Sequence, residues 1–170
     1  RAACIVRPIP AHAAANSTVA YYEPPEANGG RPGIYYVNTS EPTTRTRYEA
    51  EVHGIAMDEN GLVVEALEER LAAGLRPKLL YVIPEYQNPT GRTLPLARRE
   101  ALVELCRRFG VLILEDVAYR EISFDGGALP SLWSLAPDVV VQAGTFSKIF
   151  CPGVRLGWAA GPREVIAQLA

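Results

Sequence analysis

The chain has 170 residues, of which 48% are hydrophobic and 21% are charged, with a formal net charge of −2. This composition predicts one globular domain with a sizeable core, and the small net charge gives no reason to expect nucleic acid or an anionic membrane as a partner. No apolar run approaches the ~20 residues of a membrane span, and the N-terminus lacks the charged start and apolar centre of a signal peptide.

Cysteine and histidine are too scattered to predict a disulfide framework or a metal site. The cysteines, Cys4, Cys106 and Cys151, are odd in number and widely spaced, which favours reduced thiols in a cytoplasmic protein. The two histidines, His12 and His53, have no helical i, i+4 partner, whereas a zinc site needs three or four ligands. We therefore predict no metal.

Residues 1–47 differ in character from the rest of the chain. Six prolines break any long helix there, and residues 28–33 have turn composition. The run Ile-Tyr-Tyr-Val at 34–37 predicts one short strand, and the polar residues 39–47 predict a loop. We expect an irregular segment.

From Tyr48 onward, the sequence alternates between strand and helix patterns. A weak alternation over residues 51–57 predicts a strand that ends in the turn 58–61. Apolar runs predict further strands over residues 79–83, 111–114, 139–141 and 156–160. Amphipathic spacing and end signals predict helices over residues 63–73, 95–109 and from 164 onward. This order predicts an α/β fold, a mostly parallel sheet with flanking helices.

One lysine follows the predicted strand 139–141, at the end where open α/β sheets bind ligands. Lys148 is one of two lysines in the chain, the other being Lys78, and its apolar surroundings predict desolvation, which favours a neutral amine able to attack a carbonyl. Ser147 adds a hydroxyl, and Arg155 adds a planar fork suited to a phosphate. An imine-forming amine beside a phosphate binder is what a pyridoxal-phosphate site needs; the alternative is a solvated loop lysine.

Three stretches carry a resemblance to a known family. Thr-Phe-Ser-Lys at 145–148, followed by Pro-Gly-x-Arg-x-Gly at 152–157, resembles the Schiff-base lysine segment of class I/II aminotransferases, which are fold-type I pyridoxal-phosphate enzymes. Asn-Pro-Thr-Gly at 88–91 and Asp-x-x-Tyr at 116–119 resemble two more of that family's motifs, in the same order. The resemblance implies that residues 48–170 are a partial pyridoxal-phosphate-binding large domain.

The resemblance implies a role for each residue of these motifs. Lys148 would form the Schiff base with the cofactor and move a proton as general base and then acid. Asp116 would pair with the pyridine nitrogen, although Glu115 is a competing candidate. Asn88 and Tyr119 would hydrogen-bond the ring hydroxyl oxygen; their alternative roles are turn geometry and core packing.

The same resemblance implies a phosphate site formed by Ser147 and Arg155, with Thr145 as a third candidate. The family's earlier glycine turn, its ring-stacking aromatic residue and its C-terminal domain have no counterpart that we find in the sequence. We therefore expect cofactor binding to be weakened and the activity of this chain to be in doubt. Family members are homodimers acting on amino acids and 2-oxo acids, and these are the partners that the resemblance implies.

The N-terminal segment has a resemblance of its own. Residues 9–12, 20–25 and 30–38 resemble part of an uncharacterised bacterial family of presumed zinc-dependent peptidases, but that family's histidine-containing metal motif is missing after them. We interpret residues 1–47 as a segment of separate origin that was fused near residues 48–52; a fortuitous match is the alternative. Besides an aminotransferase, the sequence leaves open a non-catalytic ligand-sensing domain, a metallopeptidase remnant and an inactive fusion fragment.

Overall fold

A computed structural model describes three strands of the N-terminal segment and residues 53–124, 127, 129–154 and 156–169. The strands are β1 (Ala3–Pro8), β2 (Thr18–Glu23), β3 (Gly33–Asn38), β4 (Met57–Asp58), β5 (Gly61–Leu62), β6 (Leu79–Val82), β7 (Leu112–Asp116), β8 (Val140–Thr145) and β9 (Leu156–Gly161). The helices are α1 (Val64–Ala72), α2 (Leu96–Phe109), α3 (Leu132–Leu135), α4 (Phe146–Ile149) and α5 (Arg163–Leu169). Single 3-10 turns occupy Arg120–Ile122 and Pro152–Val154.

Five of the nine described strands form one sheet in the order β1-β9-β8-β7-β6, and the other four form the two-stranded sheets β2-β3 and β4-β5. Strands β6, β7 and β8 run parallel, whereas β9 pairs antiparallel with β8, and β1 pairs antiparallel with β9. The predicted α/β class and its parallel strands are confirmed. Because β6, β7 and β8 are parallel neighbours, the loops after them all leave the sheet along the edge that the carboxyl ends of these strands form.

The N-terminal part and the hairpin after it differ from the sequence prediction. Strand β3 confirms the strand predicted at 34–37, but β1 and β2 were not predicted. Residues 51 and 52 of the strand predicted over 51–57 lie outside the described residues. Over the described residues 53–57 the prediction is wrong, since only Met57 belongs to a strand, β4, which pairs with β5 in a short hairpin. The weak alternation did not reflect a buried face, because residues 53, 54, 56 and 57 are all exposed. The separate origin of residues 1–47 stays a prediction.

Helices α1 and α2 cover the sheet, and α1 does so with the face that its spacing predicted. Val64, Leu67 and Leu71 of α1 are buried, as is Leu102 of α2. Gly110 ends α2 in the left-handed conformation, with φ of 67°, and its N–H bonds to the last turn. Between the helices and the strands lies one hydrophobic core, in which each fully buried leucine or isoleucine contributes about 1.5–3 kcal/mol. No helix in the described part of the chain is long and apolar enough to span a membrane.

Candidate active site

Asp116, the last residue of β7, is held in place by two hydrogen bonds. Its Oδ1 accepts from the Ala118 N–H at 3.0 Å, and its Oδ2 accepts from the Tyr81 hydroxyl at 2.7 Å. Tyr81 lies on the neighbouring strand β6, and burial, followed by the charge of Asp116, holds its pKa well above the usual value. Sequence reasoning missed Tyr81, because its reach to Asp116 depends on the register of β6 against β7.

Glu115, the alternative candidate for the carboxylate at this site, points to the opposite face of the sheet from Asp116, as alternation along a strand requires. It is fully buried, and its carboxylate accepts from the N–H groups of Leu132 and Trp133 at 2.7 and 3.0 Å and from the Gln142 side chain at 3.0 Å. Burial raises its pKa. Glu115 thus anchors the start of α3 inside the protein, and Asp116 is the carboxylate on the opposite side.

Asn88 and Tyr119 are brought together from the loops after β6 and β7. The side-chain Nδ2 of Asn88 donates to the Tyr119 hydroxyl at 3.5 Å. The Asn88 loop is built around Gln87, whose Oε1 accepts from the N–H and the hydroxyl of Thr90 at 3.1 and 2.5 Å. Asn88 is exposed and Tyr119 is half-buried, so polar atoms of both are available at this edge.

The segment after β8 presents Ser147 and Lys148 on the one-turn helix α4. Thr145 caps this helix, since its Oγ1 accepts from the Ser147 N–H at 3.1 Å and donates to the Leu156 carbonyl at 3.2 Å. The Ser147 hydroxyl is buried and has no hydrogen-bond partner within the described residues. A buried hydroxyl without a partner is costly, and this one fits an anionic ligand that accepts a hydrogen bond.

Lys148 is exposed, which corrects the expectation that its apolar neighbours would desolvate it. The reason is local, because α4 buries none of its four residues, and the side chains of Phe146, Ile149 and Phe150 are also exposed. Gly144 allows β8 to pass directly under the Trp158 indole, since a Cβ there would come within 2.5 Å of the ring. Arg155, the predicted phosphate ligand, lies outside the described residues.

The donor set therefore fits a phosphorylated aromatic cofactor. One sheet edge carries a fixed carboxylate at Asp116 and an amide and a phenol at Asn88 and Tyr119. It also carries the Ser147 hydroxyl, which no described residue bonds, next to the accessible amine of Lys148. Among the described residues, no group of three or more histidine, cysteine, aspartate or glutamate side chains could hold a metal ion.

The comparison with protein families agrees with this site. The family described as Aminotransferase class I and II matches residues 37–170, and the chain belongs to that family. A second family, described as a bacterial protein of unknown function (DUF885), matches residues 1–55. The two matches overlap at residues 37–55, the interval that contains the predicted junction. The peptidase character of the N-terminal segment stays a prediction.

Curated relatives are aminotransferases over part of their length. The chain is 41% identical over 115 residues to the 2-aminoadipate transaminase of Thermus thermophilus, covering 65% of this chain and 29% of that protein. It is 37% identical over 127 residues to aromatic-amino-acid aminotransferase 1 of Thermococcus litoralis, covering 72% of this chain and 30% of that protein. The chain thus spans about 30% of the length of these relatives.

Solved structures show the same partial correspondence. LysN, the alpha-aminoadipate aminotransferase from Thermus thermophilus, was solved with N-(5'-phosphopyridoxyl)-L-leucine; it matches with a TM-score of 0.65 and 39% identity, covering 68% of this chain and 30% of that one. The Pyrococcus horikoshii kynurenine aminotransferase matches with a TM-score of 0.69 and 34% identity, covering 74% and 32%.

Proposed function

We propose that this chain is the cofactor-binding part of a pyridoxal-phosphate-dependent aminotransferase acting on amino acids and 2-oxo acids. The observation that carries the proposal is the convergence of Asp116, the Asn88–Tyr119 pair and the Ser147–Lys148 turn at the ends of three parallel neighbouring strands. Membership of the aminotransferase family supports it.

Each side chain at this edge has chemistry suited to one part of the cofactor. Ser147, with Arg155, would hold the phosphate, the role favoured by its buried hydroxyl, which has no partner among the described residues. Thr145 would support this site through its bond to the Ser147 N–H, because its own hydroxyl already donates to the Leu156 carbonyl. Asp116 would face the ring nitrogen, because a fixed carboxylate favours the protonated form of that nitrogen. Asn88 and Tyr119 would donate hydrogen bonds to the ring hydroxyl oxygen.

Lys148 would act at the reacting atoms. Its amine would hold the cofactor at the cofactor's carbonyl carbon, and it would move the proton of the substrate's α-carbon as general base and then acid. When bound, pyridoxal phosphate supplies an aromatic ring that accepts the electrons left on that carbon. Exposure of Lys148 gives a substrate access to the amine.

The test is transfer of a labelled amino group in the presence of pyridoxal phosphate. The names of two relatives make 2-aminoadipate and aromatic amino acids the first donors to try, and the name of a third, an L-tyrosine:2-oxoglutarate aminotransferase, makes 2-oxoglutarate the first acceptor. We expect transfer by the wild type and by Lys78→Ala, and none by Lys148→Ala. Lys78 is the matched control because it is the only other lysine and is also exposed. Equal transfer by all three proteins, or by none, would count against the proposal.

A non-catalytic, ligand-sensing domain is the second candidate, and the exposure of Lys148 favours it, because the described structure does not enclose this side chain in the apolar surroundings that activate a nucleophilic lysine. Saturable binding of pyridoxal phosphate without amino transfer would identify this function. A homodimer and a cytoplasmic location stay predictions.

A further inference from the structure

Two arginines and one glutamate form a buried cluster beneath the Asn88 loop. Glu85 is 6% exposed and Arg99 is 0% exposed. The Oε1 of Glu85 accepts from Arg99 Nη1 at 2.6 Å and from Arg120 Nη1. Arg99 also donates to the carbonyls of Leu94 and Pro130, at 2.8 and 2.9 Å. The cluster therefore joins the loop after β6 to helix α2 and to the segment before α3.

The same cluster joins the two loops that carry Asn88 and Tyr119. Glu85 lies three residues before Asn88, and its partner Arg120 comes directly after Tyr119. The Asn88–Tyr119 contact is itself long, at 3.5 Å, and lies where water can compete. It cannot align the two loops alone, and two further contacts join them: the Glu85–Arg120 pair and the 2.8 Å hydrogen bond from the Tyr86 hydroxyl to Ser123.

Stability alone is a poor explanation for this cluster. Taking charges out of water is costly, and well-packed apolar side chains of similar size are often as stabilising as a buried ion pair. The Oε2 of Glu85 is also buried without a hydrogen-bond partner among the described residues, which adds to the cost. The cluster instead fixes the orientation of the Glu85 side chain, because a planar guanidinium sets the direction of the carboxylate that it binds.

We propose that Glu85, held by Arg99 and Arg120, is a positioning residue that sets Asn88 against Tyr119 at the cofactor edge. The inference rests on the proposed function for what the pair contacts, but its geometry can be tested without any cofactor. The test places 3-fluorotyrosine at position 119 and records its fluorine NMR signal in the ligand-free protein. Hydrogen exchange of the amides at 85–94 is measured alongside.

The test variant is Glu85→Gln, which keeps the shape of the side chain and removes its charge. We expect a fluorine signal displaced by more than its linewidth and exchange roughly tenfold faster over residues 85–94. The matched control is Arg107→Gln, which loses two bonds to Asp138, at 2.8 and 2.9 Å, beside the start of β8. It should lower the unfolding midpoint and leave the fluorine signal unchanged.

Other outcomes overturn the proposal. If Glu85→Gln lowers the unfolding midpoint but the fluorine signal stays in place, the cluster is only structural. If Glu85→Gln does not fold, Arg120→Lys decides, since it keeps the charge and loses the planar fork; an unchanged signal there overturns the positioning role as well.

Titration of the wild type with pyridoxal phosphate distinguishes a failure of this proposal from a failure of the proposed function. A displaced fluorine signal in Glu85→Gln, with no saturable cofactor binding by the wild type, supports the positioning and overturns the function. Saturable binding by the wild type with an unchanged fluorine signal overturns the positioning alone.

Discussion

The hydroxyl of Tyr81 donates a hydrogen bond of 2.7 Å to Oδ2 of Asp116. The bond joins the ends of β6 and β7 at the edge where the candidate site lies. Because the Ala118 N–H binds the other oxygen, the carboxylate is fixed in two directions in the ligand-free protein. A carboxylate prepared in this way loses little freedom when a ligand's ring nitrogen binds to it.

Replacing Tyr81 by phenylalanine should lower the free energy of unfolding by about 1.5–3 kcal/mol, the range for a hydrogen bond to a charged group. Tyr86→Phe is the matched control, because its hydroxyl bonds at 2.8 Å to the neutral hydroxyl of Ser123 and should cost about 1 kcal/mol. Urea denaturation measures both. A smaller loss for Tyr81→Phe than for Tyr86→Phe would show that the Asp116 bond is weak.

Stability should decline in alkali, in part through Tyr81. Burial and the charge of Asp116 raise the pKa of Tyr81 above its ordinary value of 10.0. A group whose pKa is raised on folding stabilises the fold fully below its unfolded pKa, and this contribution is lost as pH rises above that value. Urea midpoints taken from about pH 8 to about pH 11 should fall less steeply for Tyr81→Phe than for the wild type. If the midpoints of the two proteins fall in parallel with pH, Tyr81 is not a source of the alkaline loss. The buried Cys106 thiol, whose pKa burial raises to about 12, affects both proteins equally.

Ser147 and Thr145 should respond in opposite ways to alanine. Ser147→Ala removes a buried hydroxyl that has no partner in the described structure, so the ligand-free protein should be as stable as the wild type or more so. Thr145→Ala removes the cap of α4 and should cost about 1 kcal/mol. Affinity for pyridoxal phosphate should fall about tenfold in Ser147→Ala, through the lost bond to the phosphate. Thermal melts and cofactor titrations measure the two effects; destabilisation of the ligand-free Ser147→Ala protein would contradict the account.

Acid should weaken the attachment of the β4–β5 hairpin to α2. A hydrogen bond from Arg98 to Asp58, at 2.7 Å, is the main cause that lowers the pKa of Asp58 from 3.8 to about 2. A lowered pKa contributes stability that is present above pH 3.8 and is lost as pH falls to about 2. In Asp58→Asn, unfolding midpoints should therefore fall less between these pH values than in the wild type. The same acid loss in both proteins would exclude this pair as its source.

The regular elements were predictable because their apolar spacing records which face is buried. Leu67 and Leu71 mark the inner face of α1, and Gly110 marks the end of α2. The strand predicted at 51–57 failed over its described residues because its alternation was weak and residues 53, 54, 56 and 57 are exposed. Propensity alone does not make a strand without a partner and a face to cover.

The residues of the candidate site were predicted from motifs, but the side chains that hold them in place were not. Asn88, Asp116, Tyr119 and Ser147 stood out as polar residues after apolar runs. Tyr81 and Glu85 did not, because their roles depend on register and on which loops pack together. The exposure of Lys148 was also missed, because apolar neighbours in sequence need not cover a side chain that projects from a one-turn helix.

If Lys148 carries the cofactor, borohydride reduction of the protein in the presence of pyridoxal phosphate should fix the cofactor to this residue, and mass spectrometry of the peptides would locate it. We predict a phosphopyridoxyl label on Lys148, little on Lys78, and its loss in Lys148→Ala. Equal labelling of Lys148 and Lys78, at a level that excess cofactor does not saturate, would show that the exposed amine reacts without a site and would contradict the account.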